Sequence, residues 1–235
     1  MGDIEAIKKT LGTQAVDRFV QDGMRLGLGT GSTAIWAARR VAARIAEGSL
    51  RSIRAVVTSL QTELEARALG IQVFTLNDAV IECALDLTID GADEIDPARN
   101  MIKGGGGALL QEKIIAYASR RLLIIAEAAK LSERLCDHFP IPVEVVADAV
   151  APVSRRIREM GGEAAIRIAV RKAGPVVTDL GNLLLDVTFR DAFDPRRMED
   201  ELKMIPGVLE NGLFTKKSPE LLIGHSVENI EYRRV

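Results

Sequence analysis

Strand-like and helix-like segments alternate through the first half of the chain, and this rhythm restricts the fold more than any single motif does. "MRLGLG" (24–29) reads as a buried strand, and "STAIWAARRVAARIAEG" (32–48) as an Ala-rich helix closed by glycine. "IRAVVTS" (53–59), "IQVFTL" (71–76) and "ALDLTID" (84–90) read as further strands, with the helix "QTELEARALG" (61–70) between the first two. A helix over "ALLQEKIIAYASR" leads into the apolar strand "RLLIIAEA". Such alternation predicts an open, Rossmann-like, mostly parallel sheet with helices on both faces.

From about residue 140 the pattern changes. "IPVEVV" and "AIRIAV" read as strands flanking the helix "PVSRRIREMGG". "PVVTDLGNLLLDVTF" reads as a hairpin around Asp179–Asn182, and "PRRMEDELKMI" as another helix. Strand, helix, two strands, helix, strand is a small α+β layout of the split-βαβ, ferredoxin-like kind. The tail, "LLIGHSVENIEYR", is expected to return a strand and a final helix to the main sheet. The expected division is therefore a Rossmann-like catalytic domain over 1–130 plus 206–235, and a small α+β subdomain over 131–205. The latter is a possible lid or dimer contact.

Composition narrows the function classes. The chain has 235 residues, 47% of them hydrophobic and 27% charged, as in a soluble globular protein. With 31 basic and 33 acidic residues the net charge is −2, so no overall field draws nucleic acid or an anionic membrane. The apolar runs fall far short of the roughly 20 residues a membrane-spanning helix needs. Two cysteines, Cys83 and Cys136, make neither a disulfide framework nor a cysteine zinc site. The charged N-terminus has no signal-peptide block, and a cytoplasmic protein is expected.

Two glycine-rich turns and an acidic segment carry the candidate chemistry. "LGLGTGSTA" (26–34) follows a strand and opens a helix, where free N–H groups and the hydroxyls of Thr30, Ser32 and Thr33 suit a phosphate. Its spacing matches neither the Walker nor the dinucleotide fingerprint. The plainer reading is a tight turn with Ser32 as N-cap. In "LDLTID" the strand ends at Asp90, on the edge where open α/β sheets bind ligands. "DGADEID" (90–96) spaces its acids three apart rather than in the EF-hand manner, and no histidine stands nearby. One or two carboxylates remain compatible with Mg²⁺. Glu94 and Asp96 read as parts of a solvated turn, whereas Asp90 and Asp93 adjoin Lys103 and the run Gly104–Gly107. Four successive glycines cost folding entropy, which argues against a plain surface loop. On the following helix Leu109, Leu110, Ile114 and Tyr117 are expected to form the apolar stripe, with Glu112 either facing solvent or reaching the ligand crevice.

Taken together, "GLGTGSTA", "TSLQTELEARALGI", "DGADEID", "KGGGGALLQEKIIA", "FPIPVEV" and "PGVLENGLF" resemble the type A ribose-5-phosphate isomerases, in the family's order and over nearly the whole chain. The resemblance implies interconversion of ribose 5-phosphate and ribulose 5-phosphate through an enediol(ate), without metal or organic cofactor, in the non-oxidative pentose phosphate pathway. It makes Glu112 the base that moves the proton between carbons. Asp90 would serve ring opening and proton transfer at the sugar oxygens with Asp93 beside it, and Lys103 would stabilise the oxyanion. Thr30, Gly31, Ser32 and Thr33, with Gly104, Gly105 and Gly106, would hold substrate. Lys9 and Lys130 would supply positive charge. A homodimer or dimer of dimers is the corresponding expectation, and His138 and His225 receive no role. A sugar-phosphate sensor would need a helix-turn-helix, for which about 20 residues before the first strand are too few. A CoA transferase would form a covalent glutamyl adduct.

Overall fold

A computed structural model describes residues 2–235. The chain opens with α1 (Gly2–Phe19), then runs through β1 (Arg25–Leu28), α2 (Ile35–Ala46), β2 (Arg54–Val57), α3 (Leu60–Ala68), β3 (Val73–Phe74) and β4 (Leu85–Asp90). The short strands β5 (Glu94–Ile95) and β6 (Met101–Ile102) precede α4 (Leu109–Tyr117) and β7 (Ser119–Glu127). There follow β8 (Ile141–Val145), α5 (Val150–Glu159), β9 (Gly162–Ile166), β10 (Leu183–Phe189) and α6 (Pro195–Lys203). The last strands are β11 (Val208–Asn211), β12 (Leu213–Phe214), β13 (Glu220–Gly224) and β14 (Ile230–Arg233).

The chain forms two compact units. One comprises 1–92, 111–130 and 217–235; the other comprises 93–110 and 131–216. Residues 93–110 and 206–216, which sequence reading assigns to the larger domain, thus cluster with the smaller fold. Pairing explains this: β12 pairs with β6, and β11 pairs with β8.

In the first unit the sheet order is β14-β13-β7-β4-β1-β2-β3. The pairs from β13 through β3 are parallel, and only the β13–β14 pair is antiparallel. The central strands are near-continuous apolar runs because both faces are covered. Leu26, Leu28, Leu87, Ile89, Leu123, Ile125 and Leu222 share one core with Leu11 of α1 and Val41 of α2. Helix α3 starts where the Ser59 side chain accepts the N–H of Thr62 at 3.1 Å, satisfying a free helix-end donor. The tail ends in a strand rather than the expected helix. "IEYR" alternates with period two, and Ile230 and Tyr232 both pack on this core.

The second unit contains β8-α5-β9-β10-α6-β11, with an antiparallel sheet in the order β11-β8-β10-β9. This is the split-βαβ arrangement that the sequence predicts. Val143, Val145, Leu185 and Val187 meet Val153 and Ile157 of α5 and Leu202 of α6 in a separate core. Asp194 caps α6 by accepting the N–H groups of Arg196 and Arg197, with Pro195 in the first turn. The expected hairpin around Asp179–Asn182 is only a turn, closed by the Thr178 N–H donating to Asn182 at 2.9 Å. Its upstream arm makes isolated bridges, Ile168 to Pro175 and Val177 to Leu183, and β10 takes β9 as its partner instead. Pro175 has no N–H with which to continue a ladder.

Candidate active site

In the first unit the strand order reverses at β1, which lies between β2 and β4. Ligands of open α/β sheets bind beyond the strand ends at such a point. Gly27 and Gly29 are there for packing. A Cβ on Gly27 would stand 1.9 Å from Thr88 Oγ1, and one on Gly29 2.0 Å from Asp90 Oδ1. Gly31, at φ +108°, supplies the left-handed turn into α2. Asp90, at 0% exposure, ends β4, and its Oδ1 accepts the Gly91 N–H at 2.8 Å.

The hydroxyls after β1 already have partners within the unit. Thr30 Oγ1 lies 2.6 Å from Thr58 Oγ1 and donates to Ser59 Oγ at 2.7 Å, while Thr62 donates to the Gly29 carbonyl. Ser32 is not the N-cap of α2. That place falls to Ala34, without a side-chain cap, and Ser32 Oγ accepts Lys8 Nζ at 2.9 Å. Lys8 also lies 3.6 Å from Glu127, whose other oxygen accepts Thr33 Oγ1 at 3.3 Å. Lys8 therefore supplies the ammonium at this turn. Lys9, one residue on and about 100° around the helix, is exposed over the Trp36 ring at 5.8 Å. No local signal distinguishes the two lysines, but Glu127, at the end of β7, could have been found from the strand-edge rule. Lys130 stands just beyond it, half-buried in a short turn.

Helix α4 buries Leu109, Glu112, Lys113 and Ala116. Positions i, i+3, i+4 and i+7 form one helical stripe, so two charged residues lie on the inward face. Glu112 is 5% exposed, whereas Ile114 and Tyr117, expected in the apolar stripe, are exposed.

In the second unit Lys103 is 2% exposed, with its backbone N–H on the Gly212 carbonyl at 2.9 Å and its ammonium 5.5 Å from the Phe214 ring centroid. Asp93 Oδ2 accepts the Gly105 N–H at 2.7 Å, and a Cβ on Gly105 would collide with Asp93 Oδ1. Gly104 at φ +106° and Gly107 at φ +82° bracket the turn. Glu94 and Asp96 are not solvated. Glu94 accepts the N–H groups of Cys136 and His138 at 2.7 and 2.9 Å, and Asp96 accepts both Asn100 N–H groups at 2.8 Å. Glu94 ties a distant loop in and Asp96 closes its own turn, because a buried carboxylate needs donors. Among the described residues no group of three or more His, Cys, Asp or Glu is arranged to hold a metal ion.

A sequence profile of the family described as Ribose 5-phosphate isomerase A (phosphoriboisomerase A) matches residues 54–228. The chain is 44% identical to the ribose-5-phosphate isomerase A of Treponema denticola, over 97% of this chain and 99% of that one. It resembles the solved ribose 5-phosphate isomerase A of Methanocaldococcus jannaschii with a TM-score of 0.90 at 40% identity, covering 97% and 98% of the two chains. A D-ribose-5-phosphate isomerase solved in complex with phospho-erythronic acid gives 0.93 at 36% identity, over 100% of both.

Proposed function

The chain belongs to the ribose 5-phosphate isomerase A family and is an isomerase; on that premise we propose that it interconverts D-ribose 5-phosphate and D-ribulose 5-phosphate by metal-free proton transfer through an enediol(ate). The observation that carries this reading is Glu112, a carboxylate buried on the helix that the glycine run opens. A relative bound to a phosphorylated sugar acid supports a phosphorylated sugar as the ligand.

Glu112 takes the proton from one carbon next to the carbonyl and returns it to the other, a task suited to one positioned base. Asp90 and Asp93 serve ring opening and the protons on sugar oxygens. Negative charge grows on oxygen in the transition state, where the Lys103 ammonium and the N–H groups of the glycine turn stabilise it most. Lys8, Lys130 and the turn carrying Thr30, Gly31, Ser32 and Thr33 bind the sugar phosphate, and its remote phosphate holds the reacting carbons in place. Lys8 takes the part that the sequence reading assigns to Lys9. The reaction belongs to the non-oxidative pentose phosphate pathway, in the cytoplasm, and the working form is a homodimer or dimer of dimers.

The test is isomerisation of ribose 5-phosphate by EDTA-treated protein. Wild type is expected to turn over, and Glu112→Gln to lose about 10²–10⁴ in kcat with its circular dichroism unchanged. A wild-type rate in the variant would overturn the assignment of the base.

A further inference from the structure

The isomerase's glycine turn is built from residues with the greatest backbone freedom, so something outside it must hold its shape. Arg167 does so within the same unit. Its Nη1 donates to the carbonyls of Gly104 and Gly105, at 2.9 and 3.1 Å. Its Nε and Nη2 grip Asp186, with Nε 3.0 Å from Oδ2, and the pair is largely shielded from solvent. The Gly104 carbonyl also accepts the Gly107 N–H at 3.0 Å.

Peptide planarity turns this grip into an orientation. In a trans peptide the C=O and N–H point in opposite directions. With the Gly104 carbonyl on Arg167, the Gly105 N–H faces the other way, onto Asp93. With the Gly105 carbonyl on Arg167, the Gly106 N–H likewise faces away from the guanidinium. A cation on the carbonyls also polarises both peptides and makes their N–H groups better donors.

We propose that Arg167, locked by Asp186, is a positioning residue that aims the N–H groups of Gly105 and Gly106, the first to orient Asp93 and the second to receive charge on the substrate oxygen. This rests on the isomerase reading above. A bidentate fork is required, so lysine is a poor substitute.

Arg167→Ala, Arg167→Lys and Glu112→Gln are compared with wild type by steady-state kinetics, thermal melting and amide hydrogen exchange at Gly105. Arg167→Ala is expected to lose about tenfold or more in kcat, because misplaced groups lose rate before binding. Its KM should stay within about threefold. Added methylguanidinium should restore part of kcat, and the Gly105 N–H should exchange faster. A folded Arg167→Ala with wild-type kcat, or a loss that methylguanidinium does not restore, overturns the proposal. If Arg167→Ala fails to fold, Arg167→Lys decides. Reduced kcat at an unchanged melting temperature supports the clamp, and wild-type kcat overturns it. Should Glu112→Gln keep the wild-type rate, the isomerase mechanism fails separately, and Gly105 exchange then judges the clamp: faster in Arg167→Ala supports it, unchanged overturns it.

Discussion

Glu94 holds a carboxylate at 1% exposure, where its two oxygens take the N–H groups of Cys136 and His138. Removing it leaves two part-buried amides without their acceptor. Glu94→Ala should therefore cost about 2–4 kcal/mol of stability, read from urea denaturation. A midpoint within error of wild type would contradict this role. The same scale separates acids that look alike in sequence. Asp90, Asp93, Glu94 and Asp96 stand within seven positions, yet Glu94 ties a distant loop, Asp96 closes its own turn and Asp93 accepts a glycine amide. Spacing shows that carboxylates are near one another, but not which donors reach them.

At the scale of elements, charged side chains link three neighbouring strands at one side of the parallel sheet. Arg121 of β7 donates twice to Glu220 of β13, at 2.7 and 2.9 Å, and the Tyr232 hydroxyl of β14 donates to the same carboxylate. Arg121 above all, and then Tyr232, hold the Glu220 carboxyl below the usual glutamate range. A depressed folded-state value stabilises the fold above the unfolded pKa, about 4.3, and that contribution is lost as pH falls through the lower folded value. Arg121 is partly solvated, so Glu220→Gln should cost only about 1 kcal/mol at pH 7. Denaturation at several pH values should show the gap between variant and wild type closing towards pH 3. A gap that widened on acidification would exclude the pair as its source.

At the scale of the whole molecule, each unit is discontinuous: the chain passes between them at 92/93, 110/111, 130/131 and 216/217. Ile102, from the 93–110 segment, belongs to the core that residues 135–213 otherwise supply. Neither core can be completed by one contiguous stretch of chain. Trp36 fluorescence, which reports the first unit, and far-UV circular dichroism, which reports both, should therefore follow one coincident denaturation curve. Two separated transitions would show that the units unfold independently.

Local rules decided much of this protein in advance. The β/α rhythm, the split-βαβ order of the second half and the glycine turns before α2 and α4 follow from periodicity and backbone freedom, both written into neighbouring residues. The face presented by α4 was legible in principle, but the apolar residues Ile114 and Tyr117 drew the reading away from a stripe that buries Glu112 and Lys113. Tertiary structure alone decided that Lys8 meets Ser32, that Thr33 meets Glu127, and that Arg167 grips Gly104 and Gly105. Those partners stand 24, 94 and 62–63 residues apart. Contacts at such separations depend on which strands become neighbours and on the direction in which each side chain leaves its element, and a linear pattern contains neither.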